Sequence, residues 1–79
     1  MLKLSKKEIR VLWFIRNSRH KTTIAEIARG LGYTAAEVEV FVEGMVGQKL
    51  LNQAQGSSPS ENAYYTNPAK REEIFDLLG

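Results

Sequence analysis

The side chains able to do chemistry are few, and their pattern points away from catalysis. Glu37, Glu39, Glu43 and His20 are the candidates for acid–base work. The three glutamates fall in one stretch with helical spacing, where carboxylates ordinarily form a solvated face. The sequence has no phosphate-cradling glycine loop and no nucleophile motif. It has no cysteine and a single histidine. That removes a disulfide scaffold, a thiolate metal site and a histidine-rich one. His20 sits in a polar loop, as a bystander or phosphate contact rather than a metal ligand. The expectation is a protein that is not an enzyme and holds no cofactor.

What remains is charge. The net charge is +2 over 79 residues, but it is unevenly spread. Residues 1–30 carry eight Lys and Arg against two Glu, a net +6, and residues 31–79 carry three against seven acids, a net −4. The bases cluster at Lys3, Lys6, Lys7 and Arg10, and again at Arg16, Arg19, Lys21 and Arg29, with His20 among them. One half can attract a polyanion that the other half repels. The alternative is that each half has an ordinary solvated face. With 43% hydrophobic and 25% charged residues, the chain has the composition of a globular protein. It is long enough for one domain, residues 1–79, that buries about 60–65% of its unfolded surface. The longest apolar run, Val11–Ile15, is far short of the about 20 residues of a membrane span. Met1 to Lys7 lacks the apolar stretch and cleavage site of a signal peptide. The expectation is a cytoplasmic protein with no membrane segment.

The elements that must position these charges begin with three repeated signals. Ser5, Thr23 and Thr34 are each followed three residues later by Glu, at Glu8, Glu26 and Glu37. Each pair can form a capping box, in which hydroxyl and carboxylate satisfy free N–H groups of the first turn. The first helix is expected from about Ser5 to Asn17. Ile9, Leu12 and Trp13 form one stripe there, and Val11, Phe14 and Ile15 widen it nearly all round, so burial on most sides is expected. Trp13 and Phe14 read as core rather than as a stacking platform. The second helix runs from about Thr23 to Leu31, with Ile24, Ile27, Ala28 and Leu31 at apolar spacing, and Gly32 stops it. The third starts at Thr34, carries Val38, Phe41, Val42 and Met45, and ends near Gly47. Leu50–Ala54 and Ala63–Thr66 read as strands, with one of Tyr64 and Tyr65 in the core. The turn-rich stretch from Gln55 to Asn62 makes them a hairpin with a mobile tip. Asn67-Pro68 then caps a last helix striped by Ile74, Leu77 and Leu78.

The stretch from Thr23 to Phe41 resembles the helix-turn-helix motif. Ile27, Ala28, Leu31, Gly32, Tyr33, Val38 and Phe41 stand where that motif has apolar, small, apolar, glycine and three apolar residues. Ala28 is small where the helices approach, and Gly32 supplies the turn. With the preceding helix, the hairpin and the closing helix, the whole chain resembles a winged helix-turn-helix domain. That is a mainly α fold with a three-helix core, a two-stranded wing and a C-terminal helix, similar to the core of MarR- and ArsR-type regulators.

That resemblance implies a transcriptional regulator bound to double-stranded DNA, with the third helix in the major groove. Thr34, Ala35, Ala36, Glu39, Val40 and Glu43 would face the DNA. The wing tip from Gly56 to Asn62, including Ser57 and Ser58, would reach the adjacent backbone or minor groove. Lys21, Thr22 and Thr23 would meet phosphate through side chains and free N–H groups, with Arg16, Arg19 and Arg29 as further phosphate contacts. It also implies a homodimer through the first and last helices, where Phe75 joins the apolar stripe. The chain departs from the pattern in two ways. The recognition face carries Glu39 and Glu43, with Glu37 nearby, and no base before Lys49; the wing tip has no base and carries Glu61. Lys49 stands where a glycine usually ends the recognition helix, so Gly47 is expected to end it early. The acidic face leaves a second reading open, a protein-interaction module that meets its partner through that helix with Val40 as the apolar anchor.

Overall fold

The computed structural model describes residues 4–79, so Lys3 of the first basic cluster and the opening Met1 and Leu2 lie outside the described residues. The chain forms α1 (Lys6–Asn17), β1 (Thr22–Thr23), α2 (Ile24–Leu31), α3 (Ala35–Gly47), β2 (Leu51–Ala54), β3 (Ala63–Thr66) and α4 (Arg71–Leu78). Short 3₁₀ turns cover Pro59–Glu61 and Pro68–Lys70.

The caps behave as their chemistry dictates, with one exception. Ser5 and Glu8 close the first capping box at 2.9 and 3.2 Å, and Thr23 and Glu26 close the second at 3.1 and 3.2 Å. At α3 only half the box forms. The Glu37 N–H donates to Thr34 Oγ1 at 3.2 Å, but the Glu37 carboxylate turns to Lys7 Nζ on α1, 3.5 Å away. A cross-helix cation outcompetes the local N–H.

Val11, Leu12 and Ile15 of α1 join Ile27, Ala28, Val38, Val42, Met45, Leu50, Leu51, Tyr64 and Ile74 in one core. The burial of α1 is one-sided, which corrects the expectation of a helix covered nearly all round. Trp13 lies on the helix side opposite Val11 and Ile15 and is 53% exposed, while Phe14 flanks the core. The α2–α3 turn runs through Gly32 at φ +74°, a left-handed conformation that suits glycine. At Gly30 the reason for glycine is space, because a Cβ there would collide with the Phe14 ring.

α3 ends at Gly47 as expected, but Gly47 does not make the turn that ends it. Gly47 is simply the last helical residue, and the left-handed reversal falls on Lys49, at φ +66°. The Leu50 N–H donates to the Met45 carbonyl at 2.9 Å and the Lys49 N–H to the Val46 carbonyl at 3.0 Å. This is the Schellman pairing, with Lys in the place glycine favours and with buried Leu50 and Met45 as its apolar contact.

The wing is a hairpin joined by a third strand. β3 is central, paired antiparallel with β2 in the register Leu51↔Thr66 to Ala54↔Ala63, and with β1 through Thr22↔Tyr64 and Thr23↔Ala63. Strand alternation puts Tyr64 in the core and leaves Tyr65 outside. α4 starts one turn later than Pro68. Asn67 caps the 3₁₀ turn by accepting from the Ala69 N–H at 3.0 Å, and its side-chain amide donates to the Lys49 carbonyl at 2.8 Å.

Candidate nucleic-acid interface

The α3 face and the wing enclose a groove of about 530 Å³. α3 contributes Ala35, Glu39 and Glu43, α2 contributes Ile24 and Ala25, and the sheet and wing contribute Gln53, Pro59, Ser60, Asn62 and Tyr64. This assembly follows from periodicity. Val38, Val42 and Met45 face the core, and Glu39 and Glu43, four residues apart, share one flank of the helix beside that face. Val40 projects further out and is 67% exposed. Thr34 and Ala36 are exposed at the start of the same helix.

The wing tip is pinned rather than open. The Gly56 N–H donates to Asn62 Oδ1 at 3.0 Å and the Ser57 N–H to Glu61 Oε2 at 3.1 Å. The Ser58 and Ser60 hydroxyls lie 3.0 Å apart. Ser57 and Ser58 remain exposed.

The expected phosphate contacts separate. Arg19 and Lys21 are exposed in the loop between α1 and β1, and Arg29 is exposed in the last turn of α2. Arg29 follows Ala25 by four residues, so it shares the helix face that borders the groove. Arg16 is elsewhere. It lines a cleft with Thr66, Asn67, Pro68, Arg71 and Ile74, beside Phe75 of α4. Thr22 requires a correction. Its side chain is 2% exposed and lies against the Tyr64 carbonyl at 3.5 Å, because β1 adds to the sheet instead of remaining loop. The start of α2 is also less free than its sequence suggests, since Thr23 and Glu26 occupy each other's N–H groups. The backbone bond to Thr23 holds the Glu26 carboxyl below the usual carboxylate range. Partial burial opposes this shift and His20, 3.4 Å away, assists it.

Among the described residues no base lines the groove. Three ion pairs occur among the described residues, Lys7–Glu37, His20–Glu26 and Lys70–Glu73, and none involves Glu39 or Glu43. Burial, with the charges of Glu43 and then Glu39, pushes the Tyr64 hydroxyl above its ordinary range. The sequence announced both glutamates but not Tyr64 beside them. Alternation shows that one of the two tyrosines turns inward, yet it carries no signal that the inward one ends under α3. The Lys7–Tyr33 contact, with Nζ 5.3 Å from the ring centroid, was likewise invisible. Among the described residues there is no cluster of three or more His, Cys, Asp or Glu, and no helix is long and apolar enough to cross a membrane.

No family model and no curated relative matches the sequence. Solved structures do. The chain superposes on Staphylococcus aureus MarR, solved with salicylate and kanamycin, with a TM-score of 0.80 at 13% identity, covering 95% of this chain and 49% of that one. An S. aureus MepR mutant bound to an oligodeoxyribonucleotide gives 0.80 at 12% identity, over 94% and 55%. The adhesin competence repressor AdcR of Streptococcus pyogenes gives 0.75 at 16% identity, over 95% and 55%. The chain therefore has a MarR-like winged-helix fold, and it spans about half the length of these neighbours.

Proposed function

We propose that the chain is the DNA-binding winged-helix domain of a cytoplasmic transcription regulator, without enzymatic activity, that works as a homodimer. One observation carries the reading. α3 and the wing stand free, side by side, in an arrangement shared with MepR, whose mutant was solved with an oligodeoxyribonucleotide. In this proposal Thr34, Ala35, Ala36, Val40 and the two glutamates face the major groove. Ser57 and Ser58 meet the backbone from the wing. Arg19, Lys21 and Arg29 meet phosphate, while Arg16 lies on the α4 side. Glutamate can accept from cytosine N4, which gives an acidic helix a limited base-reading role. Exposed Trp13 and Phe75, 53% and 63%, support pairing through α1 and α4. The test is a fluorescence-anisotropy titration against random duplex DNA at two salt concentrations. Affinity that falls as salt rises, with a slope set by a few phosphate contacts, supports the proposal. No binding at low salt refutes it.

A second reading has its own support. Among the described residues Glu39 and Glu43 have no ion-pair partner, and they flank exposed Val40, which suits a protein partner. Under that reading the same titration gives no DNA binding.

A further inference from the structure

The α3–wing groove holds more than two acids. Tyr64 is 7% exposed and lines the groove beside Glu39 and Glu43, yet its hydroxyl has no hydrogen-bond partner among the described residues. Its backbone is paired with β1 and β2, and its carbonyl also accepts from the Thr22 hydroxyl at 3.5 Å. The ring is buried but the hydroxyl is not sealed from solvent, so it is open to a donor that enters the groove from outside. The remaining polar lining is uncharged: Gln53, Ser60 and Asn62. Ile24, Ala25, Ala35 and Pro59 supply apolar wall. The groove thus offers two carboxylates, a phenol oxygen and a surface for methylene groups, with no cation among the described residues that line it.

We propose that this groove is a docking pocket for an arginine side chain carried by a partner polypeptide. The guanidinium presents a planar fork of five donors that matches carboxylate oxygens and leaves a donor for the Tyr64 oxygen. Its apolar stem lies along the small and aliphatic wall. A divalent cation fits less well, because the groove supplies two carboxylates and no third acidic or imidazole ligand. Binding of arginine does not depend on the DNA reading. One consequence does: an occupied pocket blocks α3 from the major groove, so partner and DNA exclude each other.

The test uses the whole chain, labelled with ¹⁵N, titrated with N-acetyl-arginine amide and, in parallel, with the citrulline amide, which has the same shape without the charge. Arginine amide should shift the resonances of Glu39, Glu43, Asn62 and Tyr64, with saturation, and citrulline amide should not. Glu39→Gln with Glu43→Gln should abolish the shifts. Tyr64→Phe should weaken binding about tenfold to a hundredfold, the range of one lost hydrogen bond to a charged group. Because Tyr64 is in the core, its amide spectrum is checked first, and the surface change Asn62→Ala serves as a second probe of the same wall. Equal shifts at Glu72, Glu73 and Asp76 would overturn the pocket as a nonspecific charge effect. So would equal binding of citrulline, or displacement of arginine by millimolar magnesium chloride. Loss of DNA binding with arginine binding intact would refute only the DNA proposal.

Discussion

Glu39→Gln with Glu43→Gln is the perturbation that separates the readings of α3. Both carboxylates face the groove where the DNA proposal puts phosphates, and among the described residues neither has an ion-pair partner. At about 8 Å, a carboxylate and a phosphate repel by roughly 0.5 kcal/mol in bulk water and about 2 kcal/mol at the effective dielectric near a protein surface. Two glutamates then cost DNA binding about 1–4 kcal/mol before screening, and about 1.4 kcal/mol is a factor of ten. The double variant should therefore bind random duplex about tenfold more tightly at low salt. The gain should shrink as the Debye length falls toward roughly 3 Å in molar salt. Any sequence preference should fall, since cytosine N4 loses its charged acceptors. Removing an i,i+4 pair of like charges should raise stability slightly, by about 0.2–0.5 kcal/mol, so a folding defect does not confuse the result. The same change should lower the Tyr64 hydroxyl toward its ordinary range, readable by tyrosinate absorbance; burial, the larger cause, keeps it raised. Anisotropy at matched salt gives the affinities and circular dichroism confirms the fold. Unchanged affinity, with little DNA binding in either protein, would refute the groove-facing assignment of α3.

Arg19→Ala and Lys21→Ala should each weaken DNA binding about equally on all sequences and lower the salt slope by roughly one unit, with stability unchanged; unaltered affinity in both removes the α1–β1 loop from the interface. Lys49→Gly should stabilise the chain by about 0.5–1 kcal/mol, because Lys49 holds a left-handed conformation at φ +66° that costs an L-residue more than glycine; a thermal melt that does not rise for this variant refutes the strain. Glu26 has a folded-state pKa below its unfolded value, so its contribution is present above about pH 4.5 and lost as pH falls through the folded value. Glu26→Gln should flatten that part of the acid limb in urea titrations, and an unchanged limb would remove Glu26 as its source. Trp13→Ala with Phe75→Ala should turn a dimer into a monomer in sedimentation at high micromolar concentration without loss of helix; a wild-type chain that is already monomeric there refutes pairing through α1 and α4.

The fold was legible wherever one local rule decided the outcome. Ser5 and Thr23 could satisfy their helix starts with nearby glutamates, and they do. Thr34 followed the same rule until Lys7, thirty residues from Glu37 in sequence, supplied a stronger partner for its carboxylate. Trp13 shows the limit of apolar patterning. A run of five apolar residues cannot all face one core when the helix turns 100° per residue, and the run itself does not say which member is left out. Lys49 was marked as anomalous in sequence, but the anomaly was resolved in the opposite sense. Two consecutive backbone bonds hold the reversal in place, with Met45 and Leu50 both buried, so the chain tolerates an unfavourable φ at Lys49 where a reversal at Gly47 would have lost both bonds.

The site was legible as charge and illegible as shape. Periodicity alone places Glu39 and Glu43 together and away from the core, and composition alone shows that no base stands between them and Lys49. What converts that acidic face into a groove is β3, and its position depends on two registers that no local signal encodes. Thr22 pairing with Tyr64 takes a residue expected at phosphate and buries it at 2% exposure, and the same pairing fixes the strand that carries the Tyr64 hydroxyl to the glutamates. One strand of two residues therefore removes a predicted contact and builds an unpredicted one. An acidic recognition helix in a winged-helix fold is difficult to explain from α3 alone. With the Tyr64 hydroxyl beside it and the wing next to it, the acidity becomes the recognising feature of the proposed pocket, and under the DNA proposal the bases on the α1–β1 loop and α2 are the groups left to meet phosphate at its border.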